Sequence, residues 1–451
     1  MNTLSEVDVQ AIIARVQDRL GGAPSSSHPA QSLAAQGELA EEVSLGEGIY
    51  RTIDEAVAAA KRAQQVYAEM GLATRRTIVD AIRGAMLAES ENLAMLAVTE
   101  TGLGRYEDKV QKNRLVTNKT PGPEDLDPHT VTGDGGMTVT EWAPMGLVGS
   151  ITPTTNPTST VINNSIAILS AGNAVVYNVH PNAKATSAEN IRLINRAIVG
   201  AGGPHDLVTA INRPTLESAK ELMEHPDIRV LLVTGGPGVV REAMKTDKRV
   251  VAAGPGNPPV VVDETADIER AAAAIVAGAS FDNNVICTDE KEAIVVESVA
   301  DELVRAMGNN GAYVLKQHEL TRLERVIFRE MGPPNKPGKI NPAFIGKNAS
   351  LILSEIGVQV GDDVRLLVAE VPNEHNLVWT EQMMPVFPVT RVPNVDVAIA
   401  MAVKAEHGFR HTAGIHSANV DNITRMARAM NCSIFVATGS FFSGLGLGGA
   451  G

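Results

Sequence analysis

The stretch Gly146-Leu-Val-Gly-Ser-Ile-Thr-Pro-Thr-Thr-Asn-Pro157 decides the fold. Its first seven residues read as a strand. Residues 159–169 follow with helical periodicity. The same unit then recurs, with strands at 173–179, 207–212, 229–234 and 249–253 and helices at 187–199, 216–224 and 239–245. Strands alternating with helices predict an α/β fold built on a doubly wound parallel sheet. Such sheets take ligands beyond the carboxyl ends of their strands. The loops there are 152–157, His180-Pro181 and Thr234-Gly-Gly-Pro-Gly238. A second α/β set opens at 259–263 and runs to about residue 430, with a strand at 291–296 and a helix at 299–307. Residues 332–343 are rich in Pro, Gly and Asn and read as a loop. The Gly-rich end, 443–451, does not read as part of a packed element.

Composition narrows the class. The chain has 451 residues, room for two or three domains, with 44% hydrophobic and 20% charged residues. The formal net charge of −13 argues against nucleic-acid recognition, which needs a basic face. Two cysteines, Cys287 and Cys432, make no disulfide framework and no metal-ligand spacing. That usage fits a reducing, cytosolic compartment. No apolar run is long enough to span a bilayer, and the sequence shows no secretory signal.

The amino end reads as a separate object. Val9, Ile12, Ile13, Val16 and Leu20 fall on one narrow helical face, and Gly21-Gly22 stop the helix. Residues 23–36 are Pro-, Ser- and Ala-rich and read as a flexible tether. A short helix of this kind wants a partner groove, on another protein or on its own domain. Its polar face lacks the Lys and Arg enrichment of a membrane-surface helix.

Chemistry concentrates at Ser280-Phe-Asp-Asn-Asn-Val-Ile-Cys-Thr-Asp289. A lone thiol can attack a carbonyl and later leave as a thioester. By itself Cys287 reads first as a small buried hydrophobe, and its company along the chain turns the reading toward a nucleophile. Thr234-Gly-Gly-Pro-Gly238 lets backbone N–H groups approach a phosphate ahead of a helix, although a plain tight turn has the same sequence. No G-x-G-x-x-G follows the first strand.

Taken together, these segments resemble the aldehyde dehydrogenase superfamily from about residue 40 onward. Four landmarks stand in that family's order: Ile151 to Pro157 with Asn156 at the oxyanion-stabilising amide, Thr234 to Gly238 at the cofactor-phosphate turn, Cys287 at the nucleophile, and Glu381-Gln-Met-Met-Pro-Val386 at the cofactor-ribose segment. The resemblance implies cofactor contacts from Thr152, Pro153, Thr154, His180, Pro181, Thr234, Gly235, Gly236, Val239, Ala253, Gly254, Glu381, Met383 and Pro385. It implies a catalytic set of Cys287, Asn156 and His411 and no metal. His411 is the candidate acid/base or thiol-activating group, with a structural histidine as the other reading. His180 reads as flanking adenosine or as packing, and His416 as structural. Cys432 reads as core within a strand at 431–436. Asp282 receives no catalytic role, because a nearby carboxylate raises a thiol pKa.

One departure is informative. Members that hydrolyse their acyl-enzyme place a Glu ahead of the cysteine, where Val251-Ala-Ala-Gly-Pro-Gly-Asn-Pro258 here puts Ala252. Without that base, water attacks a thioester slowly, whereas a thiol needs less help. The pattern, with Asp282-Asn-Asn284, His411-Thr-Ala-Gly-Ile-His416 and Gly444-Leu-Gly-Leu-Gly-Gly449, resembles the CoA-acylating branch. The leading helix and tether are similar in layout to bacterial microcompartment propionaldehyde dehydrogenases. The resemblance therefore implies NAD and coenzyme A, a short-chain aldehyde with propionaldehyde favoured, and a homodimer or homotetramer. It also implies shell proteins as partners of residues 1–20, within the lumen of a microcompartment. The matching domains are a helix at 1–20, a linker at 21–40, a cofactor domain at 41–257 with an oligomerisation segment near 120–142, a catalytic domain at 258–430 and a return segment at 431–451. Members continue past the Gly-rich run, so a stretch beyond Gly451 is expected. The rival readings are a hydrolytic dehydrogenase, an acetaldehyde-specific acylating enzyme and a non-catalytic scaffold.

Overall fold

Apolar strands flanked by amphipathic helices can bury both sheet faces only in a layered α/β arrangement. The computed structural model describes residues 43–447. The expected leading helix and linker at 1–40, and residues 448–451 of the Gly-rich end, lie outside the described residues. Two parallel sheets carry the rest. The first takes β1 (Ile49–Tyr50), β4 (Leu147–Ile151), β5 (Ala174–Asn178), β6 (Val208–Ile211), β7 (Ile228–Thr234) and β8 (Arg249–Ala253), in the order β1-β6-β5-β4-β7-β8. Its direction of growth reverses at β4, with β5 on one side and β7 on the other. A crevice opens at such a reversal, at the carboxyl ends of the strands.

The hairpin β2 (His129–Gly133) and β3 (Gly136–Thr140) projects from this unit, every residue of both strands exposed. The second sheet holds β9 (Pro259–Val262), β10 (Glu292–Val296), β11 (Ala312–Val314), β14 (Leu366–Glu370), β15 (Val386–Val392), β16 (Thr412–His416) and β17 (Ile434–Ala437), in the order β11-β14-β15-β10-β9-β16-β17. Here the strand period of two is visible in the core. Val261, Ile294 and Val296 enter one apolar cluster, and Val260, Val262, Ala293 and Val295 enter the opposite one.

Four details differ from the expectations. The second sheet runs on to β17, beyond residue 430, because residues 434–437 pair in parallel with β16. The loop expected at 332–343 contains the two-residue strand β13 (Lys339–Ile340), paired with β12 (Phe328–Glu330), and a short turn at Pro342–Phe344. Cys432 is half-buried and precedes β17 instead of lying within a core strand; its thiol donates to the Ile434 carbonyl at 3.1 Å. The Gly-rich end is packed as far as Leu445, where the turn Phe441–Leu445 is anchored by buried Phe441 and Phe442.

The element that matters most for the site is the exit from the helix Ile268–Ala279. Asp282, Asn283 and Asn284 follow with φ of 46°, 56° and 63°. Left-handed backbone costs roughly 1–2 kcal/mol per L-residue, and Asn and Asp tolerate it best. Each of the three side chains is then tied down. Asn283 donates to Gly346 O and Asn348 Oδ1, both at 2.9 Å. Asn284 donates to Ala279 O at 2.8 Å and Glu290 O at 3.0 Å. The Asp282 carboxylate accepts from the Arg105 N–H at 2.7 Å and pairs with Lys109 at 3.0 Å and with Lys112. Gly104 permits this approach, since a β-carbon there would collide with that carboxylate. Asp282→Asn leaves two buried ammonium groups without their anion. A loss of about 3–5 kcal/mol is expected, read as a lower denaturant midpoint; an unchanged midpoint would refute the structural role given to this carboxylate.

Candidate active site

The reversal point of the first sheet and the loops of the second enclose a cavity of about 450 Å³. Four strand ends of the first sheet feed it. β4 leads into Thr152, Pro153, Thr154, Thr155 and Asn156, and β5 into Asn178, Val179, His180 and Pro181. β7 leads into Thr234, Gly235, Gly236, Pro237 and Val239, and β8 supplies Ala253, Gly254 and Pro255. From the other side come Val285, Cys287, Glu381 and Met383. Glu381 is the one carboxylate among these wall residues.

Most of the residues singled out in the sequence thus meet at one cavity, and two do not. Pro385 is buried in the sheet, its carbonyl accepting the Leu367 N–H at 2.9 Å, because it directly precedes β15 and follows that strand's pairing. His411 is absent from the wall and stands behind Gly256. A β-carbon on Gly256 would lie 2.6 Å from Cys287 O and 3.2 Å from His411 Cγ, so that glycine is the contact between histidine and cysteine loop. On β8 the wall residue is Ala253, and exposed Ala252 lies outside it; both are alanines, so this strand contributes no carboxylate. Sequence reading misses Asn178, Val285 and Leu216, which carry no motif, and the buried lysines described below.

Asn156 caps the helix Pro157–Ser170. Its Oδ1 accepts from Lys112 Nζ at 2.6 Å, and its Nδ2 donates to Thr155 Oγ1 at 3.0 Å. An ammonium can only donate, so this bond fixes which end of the carboxamide is oxygen and leaves the NH2 end as the donor. Lys109 donates to Thr155 O at 3.2 Å. Lys109 and Lys112 therefore join the Asn156 loop to the Asp282 turn ahead of Cys287. Burial, with the Lys112 charge added, pulls Lys109 down to about 8.

Cys287 lies in a turn closed by Asp289 N–H to Ile286 O at 3.2 Å and Ile286 N–H to Asp289 Oδ2 at 3.2 Å. Burial pushes its thiol up to about 12. The Glu381 carboxylate and Asp289 add in the same direction, and Lys291 opposes them. Burial also raises Glu381, whose Oε1 accepts the Gly256 N–H at 3.3 Å. Burial, with the Lys291 charge added, lowers His411, and its Nδ1 lies 2.8 Å from Thr412 Oγ1. His180 is lowered by burial too, and its Nδ1 accepts from Asn182 N–H at 3.1 Å. His416 is buried, finds no hydrogen-bond partner for its ring among the described residues and falls to about 4 through desolvation, as suits a neutral core residue.

The walls suit a dinucleotide. β-Carbons placed at Gly235, Gly236 and Gly254 would meet no atom closer than 4.0 Å, so the backbone is open where a phosphate would lie. Thr152 Oγ1 is buried at this wall with no partner among the described residues. Among those residues no cluster of three metal-ligating side chains occurs, and no helix is long and apolar enough to cross a membrane.

Known proteins share this architecture. The aldehyde dehydrogenase family matches residues 35–319, and the chain belongs to that family. It is 50% identical over 405 residues to the acetaldehyde dehydrogenase (acetylating) EutE of Salmonella typhimurium, covering 90% of this chain and 86% of that protein. The crystal structure of Rhodopseudomonas palustris propionaldehyde dehydrogenase with bound CoA and an acylated cysteine is similar, with a TM-score of 0.86 and 43% identity over 90% of this chain and 92% of the other. A propionaldehyde dehydrogenase from the Clostridium phytofermentans fucose utilisation bacterial microcompartment gives a TM-score of 0.86 at 41% identity, over 90% and 92% of the two chains.

A raised thiol has a definite signature. Because the Cys287 pKa lies far above neutrality, thiolate is the minor form, and its fraction grows about tenfold per pH unit. Alkylation of Cys287 by iodoacetamide in the ligand-free enzyme should rise with that slope from pH 7 to about pH 9.5. A plateau at or below pH 8 would contradict it.

Proposed function

We propose that this protein is a CoA-acylating aldehyde dehydrogenase that converts a short-chain aldehyde to its acyl-CoA. The observation that carries the proposal is the meeting of Cys287 and Asn156 at one cavity whose β8 wall offers alanine in place of a water-activating acid. Cys287 as thiolate attacks the aldehyde carbon and forms a thiohemiacetal. Asn156 directs its amide NH2 at the developing oxyanion, held in that sense by Lys112. Thr152, His180, Glu381 and the open glycine turn would hold NAD, which would supply the acceptor for the hydride that leaves this carbon. The thioacyl-enzyme on Cys287 then meets the sulfur of coenzyme A. With no general base at β8, the thiol outcompetes water, because thiols ionise far more readily. His411, kept neutral at pH 7 by burial and separated from the cysteine loop by Gly256, is the proton acceptor for the incoming thiol.

Relatives named for acetaldehyde and for propionaldehyde both support a two- or three-carbon substrate. The exposed hairpin at 129–140, with Val131 at 57%, Met137 at 68% and Val139 at 49% exposure, supports assembly into a homodimer or homotetramer. The microcompartment origin named for one structural relative supports a place inside a protein shell, with residues 1–20 as the docking element.

Steady-state NADH formation from aldehyde should depend on added CoA, and equal rates with and without CoA would overturn the proposal. Cys287→Ala is expected to abolish turnover with the fold intact, and Asn156→Ala to lower kcat by about 10²–10³. Deleting residues 1–20 should leave catalysis in solution unchanged while the protein is lost from purified shells; retention of the truncated protein in shells would refute the docking role.

A further inference from the structure

Lys291 is fully buried at the head of β10, four residues after Cys287. Its ammonium donates three hydrogen bonds, to Asn284 O at 2.8 Å, Asn284 Oδ1 at 2.6 Å and Ile286 O at 3.0 Å. All three acceptors are neutral, and all lie on the loop that delivers Cys287. A buried cation is costly without an anion close by. The carboxyl groups that feel this charge are themselves buried. Burial raises Asp289 and Glu292 well above their ordinary values and Glu290 to about 8, and the Lys291 charge opposes that rise in all three. Glu381, across the cavity, is raised as well. His411, which also feels this charge, carries none when neutral. The Cys287 sulfur feels the same charge: Lys291 opposes the burial, Glu381 and Asp289 that push its thiol up.

We propose that Lys291 is the positioning residue of the nucleophile: its three hydrogen bonds hold the Asn284–Ile286 loop, and its charge is the counter-ion that the Cys287 thiolate forms against. The inference rests on the reading of Cys287 as nucleophile, and its test does not use turnover. Labelling is followed in a Cys432→Ser background, so that Cys287 is the single thiol, with neutral iodoacetamide and anionic iodoacetate on the full chain without ligands. Lys291→Met removes clamp and charge. Lys291→Gln removes the charge and retains an amide donor toward the loop. In both variants the iodoacetamide rate at pH 8 should fall roughly tenfold, the effect of one pKa unit. The iodoacetate-to-iodoacetamide ratio should fall as well, which a change in loop position alone does not produce. Wild-type labelling by both reagents in either folded variant would overturn the proposal. On the native chain, the ratio should stay constant between about 50 mM and 500 mM salt, because a buried charge is poorly screened. A ratio that collapses with salt would assign the effect to surface charge and overturn it without any variant. Turnover by Cys287→Ser would sink the functional reading separately, leaving the labelling result untouched.

Discussion

The Asp282 carboxylate, shared between Lys109 and Lys112, is the interaction on which the site depends. Asp282 opens the left-handed turn ahead of Cys287, and Lys112 holds the Asn156 carboxamide. One buried anion thereby sets the relation between a loop of the first sheet and a loop of the second. Lys109 and Lys112 stand three residues apart, on one face of the helix Tyr106–Lys119, so both can reach the same carboxylate. Around them Asp108 pairs with Arg365 and accepts the Asp282 N–H at 2.9 Å, extending the network to the second half of the chain. Buried charges of this kind contribute little net stability, but breaking one set leaves others unpaired, which makes the geometry hard to deform.

The same enclosure creates a chemical tension. A largely apolar cavity wall strengthens the carboxamide's hold on an oxyanion. It also suppresses the thiolate that must form first, and Glu381 and Asp289 suppress it further. The positive charge at Lys291 works against that suppression from behind the loop. The chain thus separates two tasks between two lysines. Lys112 orients the group that meets the oxygen, and Lys291 addresses the sulfur.

Much of this is legible in the sequence, for identifiable reasons. The parallel strands are continuous apolar runs, and the loops at their carboxyl ends have to line a crevice, so topology and family likeness together pick out Thr152, His180, Thr234 and Ala253. Pro385 is misplaced because a motif does not say which of its residues turns into the sheet. Resemblance puts His411 with the catalytic residues, whereas in the fold a single glycine separates it from the cysteine loop. Cys432 is expected inside its strand because an apolar run does not mark where pairing begins. The lysines are invisible: Lys109, Lys112 and Lys291 look like ordinary charged surface positions, and only the fold shows that each is buried against a specific oxygen. The alanine at position 252 is informative at sequence level, although the side chain that faces the cavity is Ala253.

The most direct test is the intact mass of the enzyme after brief mixing with aldehyde and NAD in the absence of CoA. The expected result is a single acyl adduct, mapped to the Cys287 peptide, that persists in buffer and discharges at once when CoA is added. An enzyme that carries no adduct, or one whose adduct is released as fast by water as by CoA, would contradict thioester transfer from this cysteine.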